Sequence, residues 1–202
     1  MTQAPEQQMA RALARMLNQG DAIGVLARAD VARQRFPYAP SFQFLRGIAI
    51  ARLGRPREVA DAMRMMLDQL PTDARPEADA DVARVMLEAG RAEDAIALAE
   101  AAPGTSAALT AVHAEALLAA GRADDASKLV EGGGGESEAD RLELAIARAK
   151  IAIAADPSGA SQACAEARTN LNERVGVAGG SAIRRAEALR VLGDMQLRVG
   201  AT

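Results

Sequence analysis

Tryptophan is absent from this chain of 202 residues, and its aromatic complement is one Tyr and three Phe. Sheet cores draw heavily on aromatic and β-branched residues. Their scarcity therefore argues against a β-sandwich and for helices that approach closely through small side chains. Only one cysteine is present, Cys164, so no internal disulfide can form. His113 is the only histidine, and two lysines stand against 22 arginines. That imbalance reads as a GC-rich, bacterial coding composition rather than a binding surface.

Basic charge is lacking too. The formal net charge is −3 and the isoelectric point is near 5.3, whereas a nucleic-acid binder usually carries a basic face. No apolar run approaches the ~18 residues of a membrane-spanning helix. The start, MTQAPEQQMARALARML, has no basic segment followed by an apolar stretch, so no signal peptide is expected and a cytoplasmic location is.

Half of the residues are apolar, mostly Ala, Leu, Val, Ile and Met, and they are ordered in repeats. GRPREVADAM begins at Gly54, GRAEDAIALAE at Gly90 and GRADDASKLV at Gly121. Gly20 and Gly54 lie 34 residues apart, as do Pro37 and Pro71. Each Gly–Pro pair brackets apolar residues at helical spacing: Val25, Ala29 and Ala32 in the first, Val59, Met63 and Met66 in the second. A second helical pattern precedes each Gly, as in SFQFLRGIAIARL at 41–53. The unit is helix, Gly turn, helix, Pro turn. Glycine suits the turn because it adopts left-handed backbone conformations at little cost.

These residues resemble the tetratricopeptide repeat, whose pattern is a small residue midway along the first helix, Gly at the turn, small residues in the second helix and a closing Pro. The matches are Gly47, Gly54, Val59 and Pro71 in the second unit, and Ala83, Gly90, Ala95 and Ala102, followed by Pro103, in the third. Ala114, Gly121 and Ala126 match in the fourth, and Leu189, Leu192, Gly193 and Gly200 supply a last first-helix pattern. The aromatic usual early in the first helix is replaced by Gln43 and Asp79. Uneven glycine spacing shortens the second helices of units three and four. The resemblance implies an all-α fold, a right-handed α-solenoid of antiparallel helix pairs. Helix pairs are expected over 7–37, 41–71, 77–103 and 107–131. Residues 132–202 are expected to hold a Gly-rich joint, a divergent fifth pair (138–155 and 160–175) and a terminal capping helix of the same solenoid. The fifth pair rests on apolar periodicity alone: Leu142, Ala145, Ile146, Ala149 and Ile153, then Ala163, Ala167, Leu171 and Val175.

Several stretches imitate catalytic or metal motifs. EGGGGESEAD (131–140) lacks the Gly-Lys-Ser/Thr of a phosphate loop and reads as a joint before a helix capped by Ser137, with Asp140 in its first turn. GVAGGSA (176–182) reads as a loop with Ser181 as N-cap. DARPEADAD (73–81) lacks the spacing of a calcium loop. His113 has no nucleophile in any recognisable motif, and Cys164 reads as a buried small residue if Gly159 marks the turn before it. No catalytic residue, metal site or cofactor is expected.

All four aromatics, Phe36, Tyr38, Phe42 and Phe44, fall within nine residues. Phe36 and Phe42 are expected to fill a seam between units one and two. The resemblance places Phe44, Ile48 and Arg52, which share a helix face, on a concave groove. Unit three carries Ala80, Arg84 and Glu88 at the matching positions. Such solenoids usually bind peptides or protein segments. The expected function is a non-enzymatic scaffold or adaptor holding a protein or peptide partner through Phe44, Ile48, Arg52, Arg84 and Glu88, without nucleic acid or membrane insertion. The alternatives are a recognition module of a larger enzyme or envelope protein, since LRVGAT follows a first-helix pattern with no second helix, and self-assembly through the terminal helix.

Overall fold

The glycine turns build the backbone in the computed structural model, which describes residues 4–71, 74–133, 135–176 and 182–200. Gly54 has φ +69°, a conformation that side chains with a Cβ rarely adopt. Its N–H donates to Ala51 O at 3.0 Å, and the next N–H, of Arg55, reaches back to Ile50 O at 3.2 Å. This pair of bonds is a Schellman cap, which satisfies carbonyls left over at a helix end. The same two bonds recur after Gly20, Gly90 and Gly121.

The residue after each glycine opens the next helix, which explains the repeated Gly-Arg. Arg55, Arg91 and Arg122 each pair with an acid three residues on. Arg122 meets Asp125 at 3.0 Å, Arg55 meets Glu58 at 3.9 Å, and Arg91 meets Asp94. The acid also sits at the positive helix end. The Arg55 and Arg122 pairs are surface-exposed and contribute at most about 1 kcal/mol each, while the Arg91 pair is half-buried. Asp21 replaces the arginine in the first unit and accepts from Gly24 N at 2.8 Å.

Among the described residues all regular structure is helical. Two compact units divide at Pro103 and Gly104. The first contains α1 (Pro5–Asn18), α2 (Ala22–Arg35), α3 (Pro40–Arg52), α4 (Pro56–Leu67), α5 (Arg75–Glu88) and α6 (Ala92–Ala101). Consecutive helices pack together, and the odd-numbered ones also touch, α1 with α3 and α3 with α5. Pro5, Pro40 and Pro56 start their helices, where a missing N–H costs nothing.

Leu13, Leu17, Val25, Ala29, Phe42 and Ala49 form one core cluster of this unit. Phe36 stacks on Phe42 with ring centroids 5.8 Å apart, the expected seam. Gly47 lies close against Met63: a Cβ there would be 2.7 Å from Met63 Sδ, so the thioether would have to move aside. Val59 and Ala95, five residues after their turn glycines, are completely buried. Gln43 and Asp79 are buried rather than solvated. Gln43 Nε2 donates to Met65 Sδ at 3.6 Å, while its Oε1 has no partner among the described residues.

The second unit contains α7 (Ala107–Ala119), α8 (Ala123–Glu131), α9 (Glu138–Ala155), α10 (Gln162–Val175) and α11 (Ala182–Gly200). Here α7 packs on α8 and α9, α9 on α8, α10 and α11, and α10 on α11. The short second helices expected from the glycine spacing are α6 and α8, of 10 and 9 residues against 14 in α2. The Gly-rich stretch lies inside this unit. It leads into α9 through a capping box in which Ser137 Oγ accepts from Asp140 N and Asp140 Oδ2 accepts from Ser137 N. The expected Ser181 cap lies outside the described residues.

Leu142, Ile146, Ala149, Leu171, Val191 and Met195 belong to the core of the second unit. The periodicity of the fifth pair needs one correction. Ala163 is exposed, and Cys164 takes the buried position, 2 % accessible, five residues after Gly159 at φ +72°. Its thiol donates to Ala152 O at 3.2 Å, which suits a small buried residue.

Candidate functional site

Register relative to the turn glycine relates the odd-numbered helices to one another. Phe44, Ile48 and Arg52 lie ten, six and two residues before Gly54, and Ala80, Arg84 and Glu88 lie at the same distances before Gly90. The first three are on α3 and the others on α5, two helices in direct contact. Phe44 is half-buried and lies outside the cluster that contains Phe42. Ile48 is also half-buried, packed against that cluster. Arg52 is exposed along its length but directs Nη1 to the carbonyl of Leu17 in the last turn of α1. A cation there meets the negative helix end, so Arg52 ties α3 to α1.

On α5 the face narrows. Ala80 is 1 % accessible, which leaves Arg84, half-buried and 3.5 Å from Asp81, and the exposed Glu88. The five residues therefore share two touching helices. They differ in role: Phe44, Arg84 and Glu88 present surface, whereas Ile48 and Arg52 are partly engaged inside the fold. The half-exposed aromatic and the charges of both signs thus lie on two touching helices.

The same register in the second unit leads to a feature the sequence reading missed. Six residues before Gly121 stands Glu115 on α7. It belongs to an ionic cluster with Glu143 and Lys150 of α9 and Arg184 and Glu187 of α11. Arg184 binds Glu143 through two nitrogens, Nε to Oε1 at 2.8 Å and Nη2 to Oε2 at 2.6 Å. It also meets Glu187, and Glu115 at 3.7 Å. Lys150 Nζ bridges Glu115 at 2.6 Å and Glu187. Burial alone would lower the pKa of Arg184, but the facing carboxylates of Glu143, Glu187 and Glu115 outweigh it and hold the pKa above its ordinary value.

Arg184 is only 7 % accessible on its side chain. Removing one partner from such a buried network typically costs about 3–5 kcal/mol. The cluster fastens three helices and satisfies most of its own charge. The signal for Glu115 was its place in the repeat; Glu143 and Lys150 have no comparable signature, because α9 is followed by the segment 156–161 and not by a three-residue Gly turn.

The remaining residues singled out from the sequence do not gather at this face. His113 is half-buried on α7 and Cys164 is buried beside α9. In the acidic stretch, Asp79 is fully buried, with Arg75 Nε 3.3 Å from its Oδ1. Burial raises the pKa of its carboxyl, against the pull of the Arg75 charge. Among the described residues no group of three or more His, Cys, Asp or Glu is placed to hold a metal ion, and no helix is long and apolar enough to cross a membrane. Comparison of the chain with protein-family models, curated proteins and solved structures found no match in any of the three.

Proposed function

We propose that this chain is a non-enzymatic adaptor of the tetratricopeptide type, its helix pairs stacked as a right-handed solenoid. It holds a protein or peptide segment of a partner along the odd-numbered helices of the first unit. Phe44 is the apolar anchor, Ile48 supports it from below, and Arg84 and Glu88 select the register and direction of the bound segment. Arg52 contributes its charge while holding α1 to α3. The observation that carries this reading is Phe44 itself. It is the one Phe outside the Phe36–Phe42 stack and keeps part of its surface accessible on a helix that touches the one bearing Arg84 and Glu88. Buried anchors of this type dominate the energetics of recognition, and flanking charges govern orientation.

The test is affinity capture from the native cell, using the folded chain and two variants as bait. Phe44→Ala and Arg84→Glu should each deplete the same captured protein while circular dichroism shows undiminished helix content. Unfolding by Phe44→Ala, or undiminished capture by both variants, removes this face from consideration.

One observation favours self-assembly as a second reading. α11 exposes Ile183, Leu189 and Leu197, at 79 %, 58 % and 76 %, and nothing among the described residues lies within 4 Å of a Cβ built on Gly193. Sedimentation velocity decides it: a dimer that Leu197→Glu dissociates supports this reading, and a monomer at all concentrations rejects it.

A further inference from the structure

A cleft of about 420 Å³ opens in the second unit between α8, α9 and α10. Its apolar walls include Val130 of α8, Ala145, Ile151 and Ala152 of α9, and Ala163 and Ala167 of α10, with Ser127 and Asn170 as polar lining. The cause of the space is visible in these identities. Four of the six are alanines, and α8 is only nine residues long, so the side chains fall short of filling the gap between the helices.

The rim of the cleft is acidic. Glu131 closes the end of α8 and Glu166 stands on α10, both exposed. The one cation lining the cleft among the described residues, Arg148, is committed elsewhere: its Nη2 donates to Val130 O at 2.7 Å and Gly133 O at 2.8 Å. That places its charge against the negative end of α8, and the carboxylates of Glu131 and of Glu166, which accepts from the neutral Gln162 Nε2 at 2.8 Å, set the sign of the opening. The corresponding cleft of the first unit, between α4, α5 and α6, is smaller, about 250 Å³, and carries Arg64, Asp68, Arg75 and Asp94, charges of both signs. Of these two clefts, only the larger combines apolar walls with a rim of one sign.

We propose that the α8–α9–α10 cleft is a second docking site, separate from the Phe44 face. It takes a short peptide segment with a Leu, Ile or Met side chain flanked by Lys or Arg. The aliphatic side chain enters between Ala163, Ala167 and Ile151, where it gains the burial that the alanines leave unused. The basic flanks meet Glu131 on one wall and Glu166 on the other, which orients the segment and rejects acidic sequences. The volume lies at the lower end of the roughly 300–1,000 Å³ of small-ligand sites, enough for one anchor rather than a folded partner. A nucleic-acid strand is disfavoured by the carboxylates at the opening.

Phage-displayed random dodecapeptides selected on the full chain, with binding of the enriched peptides measured by fluorescence anisotropy, test the proposal. The enriched sequences should carry an aliphatic residue within two positions of Lys or Arg. Ala163→Leu, which fills the cleft from an exposed position, should weaken them by about tenfold or more. The double variant Glu131→Lys, Glu166→Lys should weaken them comparably, and it keeps the proposal falsifiable should Ala163→Leu disturb α10. Phe44→Ala should leave these peptides unaffected, so this site and the first-unit face succeed or fail separately. Selection of no peptide, enrichment of acidic peptides, or equal binding to the double variant would overturn the proposal.

Discussion

Asp79 is a carboxylate that folding takes out of water. It is fully buried, its Oδ1 has only Arg75 at 3.3 Å, and its Oδ2 has no partner among the described residues. An unsatisfied buried polar group costs about 1–3 kcal/mol. Desolvation, the larger influence, raises its pKa above the ordinary 3.8, while Arg75 opposes the rise. A carboxyl whose pKa is raised by folding binds its proton more tightly in the native state, so ionisation costs stability as pH rises from about 3.8 through the raised value. Asp79→Asn keeps the shape and an acceptor for Arg75 but removes the buried charge. It should raise stability at pH 7 by about 1 kcal/mol, an advantage that vanishes below about pH 3.8. Urea denaturation of both proteins at about pH 7 and about pH 3.5 checks this. An Asp79→Asn protein less stable than the wild type near neutrality would show that the Arg75 ion pair outweighs the burial cost.

At the scale of elements, the α9–α10 connection departs from the three-residue Gly turns. Three residues and a Schellman cap join α1 to α2, α3 to α4 and their equivalents, whereas α9 and α10 are separated by 156–161. Asp156 organises that segment. Its Oδ1 accepts from Ser158 N at 3.0 Å and Ser158 Oγ at 2.6 Å, and its Oδ2 accepts from Ser161 N at 2.7 Å. The Ser158 hydroxyl and the Ser161 amide are the chief reasons that its pKa falls to about 2. The carboxylate therefore stabilises the turn fully above the unfolded value near 3.8, and its contribution is lost as pH falls from there towards about 2. Urea midpoints of the wild type and Asp156→Ala should differ by a constant amount near neutrality and converge between about pH 4 and about pH 2. A difference that persists at the acid end would mean that the backbone alone holds this turn. Helices joined by Gly turns were legible in the sequence because one residue type is required there, and the buried sets Val25, Ala29, Ala32 and Val59, Met63, Met66 followed from periodicity. In α10 periodicity alone points to Ala163, which is exposed, whereas counting from Gly159 correctly places Cys164 in the core. Phe44 and its neighbours could be placed on one face by spacing, but that Arg52 reaches back to Leu17 depends on a tertiary contact that no local pattern encodes.

For the whole molecule, the dividing line matters more than the glycine content of any stretch. The sequence reading placed a joint at 131/132 inside one continuous solenoid, and by its contacts the chain divides at Pro103 and Gly104. A cut at 131/132 would separate α7 and α8 from α9, helices that pack directly on one another. It would also take the Val130 carbonyl from Arg148 and Glu115 from Lys150 and Arg184. Loss of one partner from a buried ionic cluster costs about 3–5 kcal/mol, against a total stability of about 5–15 kcal/mol for a typical domain. A cut at 103/104 spares every one of these interactions and leaves the Leu142–Met195 core whole. A length of about 100 residues is also enough for a chain to bury a self-sufficient core. The fragment 104–202 should therefore show a helical circular dichroism spectrum and a cooperative thermal transition, and the fragment 132–202 should show neither a comparable transition nor a comparable helix signal per residue. Because Glu115 is the one member of the cluster that the shorter fragment lacks, Glu115→Ala in 104–202 should move the transition part of the way towards that of 132–202. Equal melting of 104–202 and 132–202 would mean that α9, α10 and α11 fold without α7, and that the ionic cluster joins helices already stable on their own.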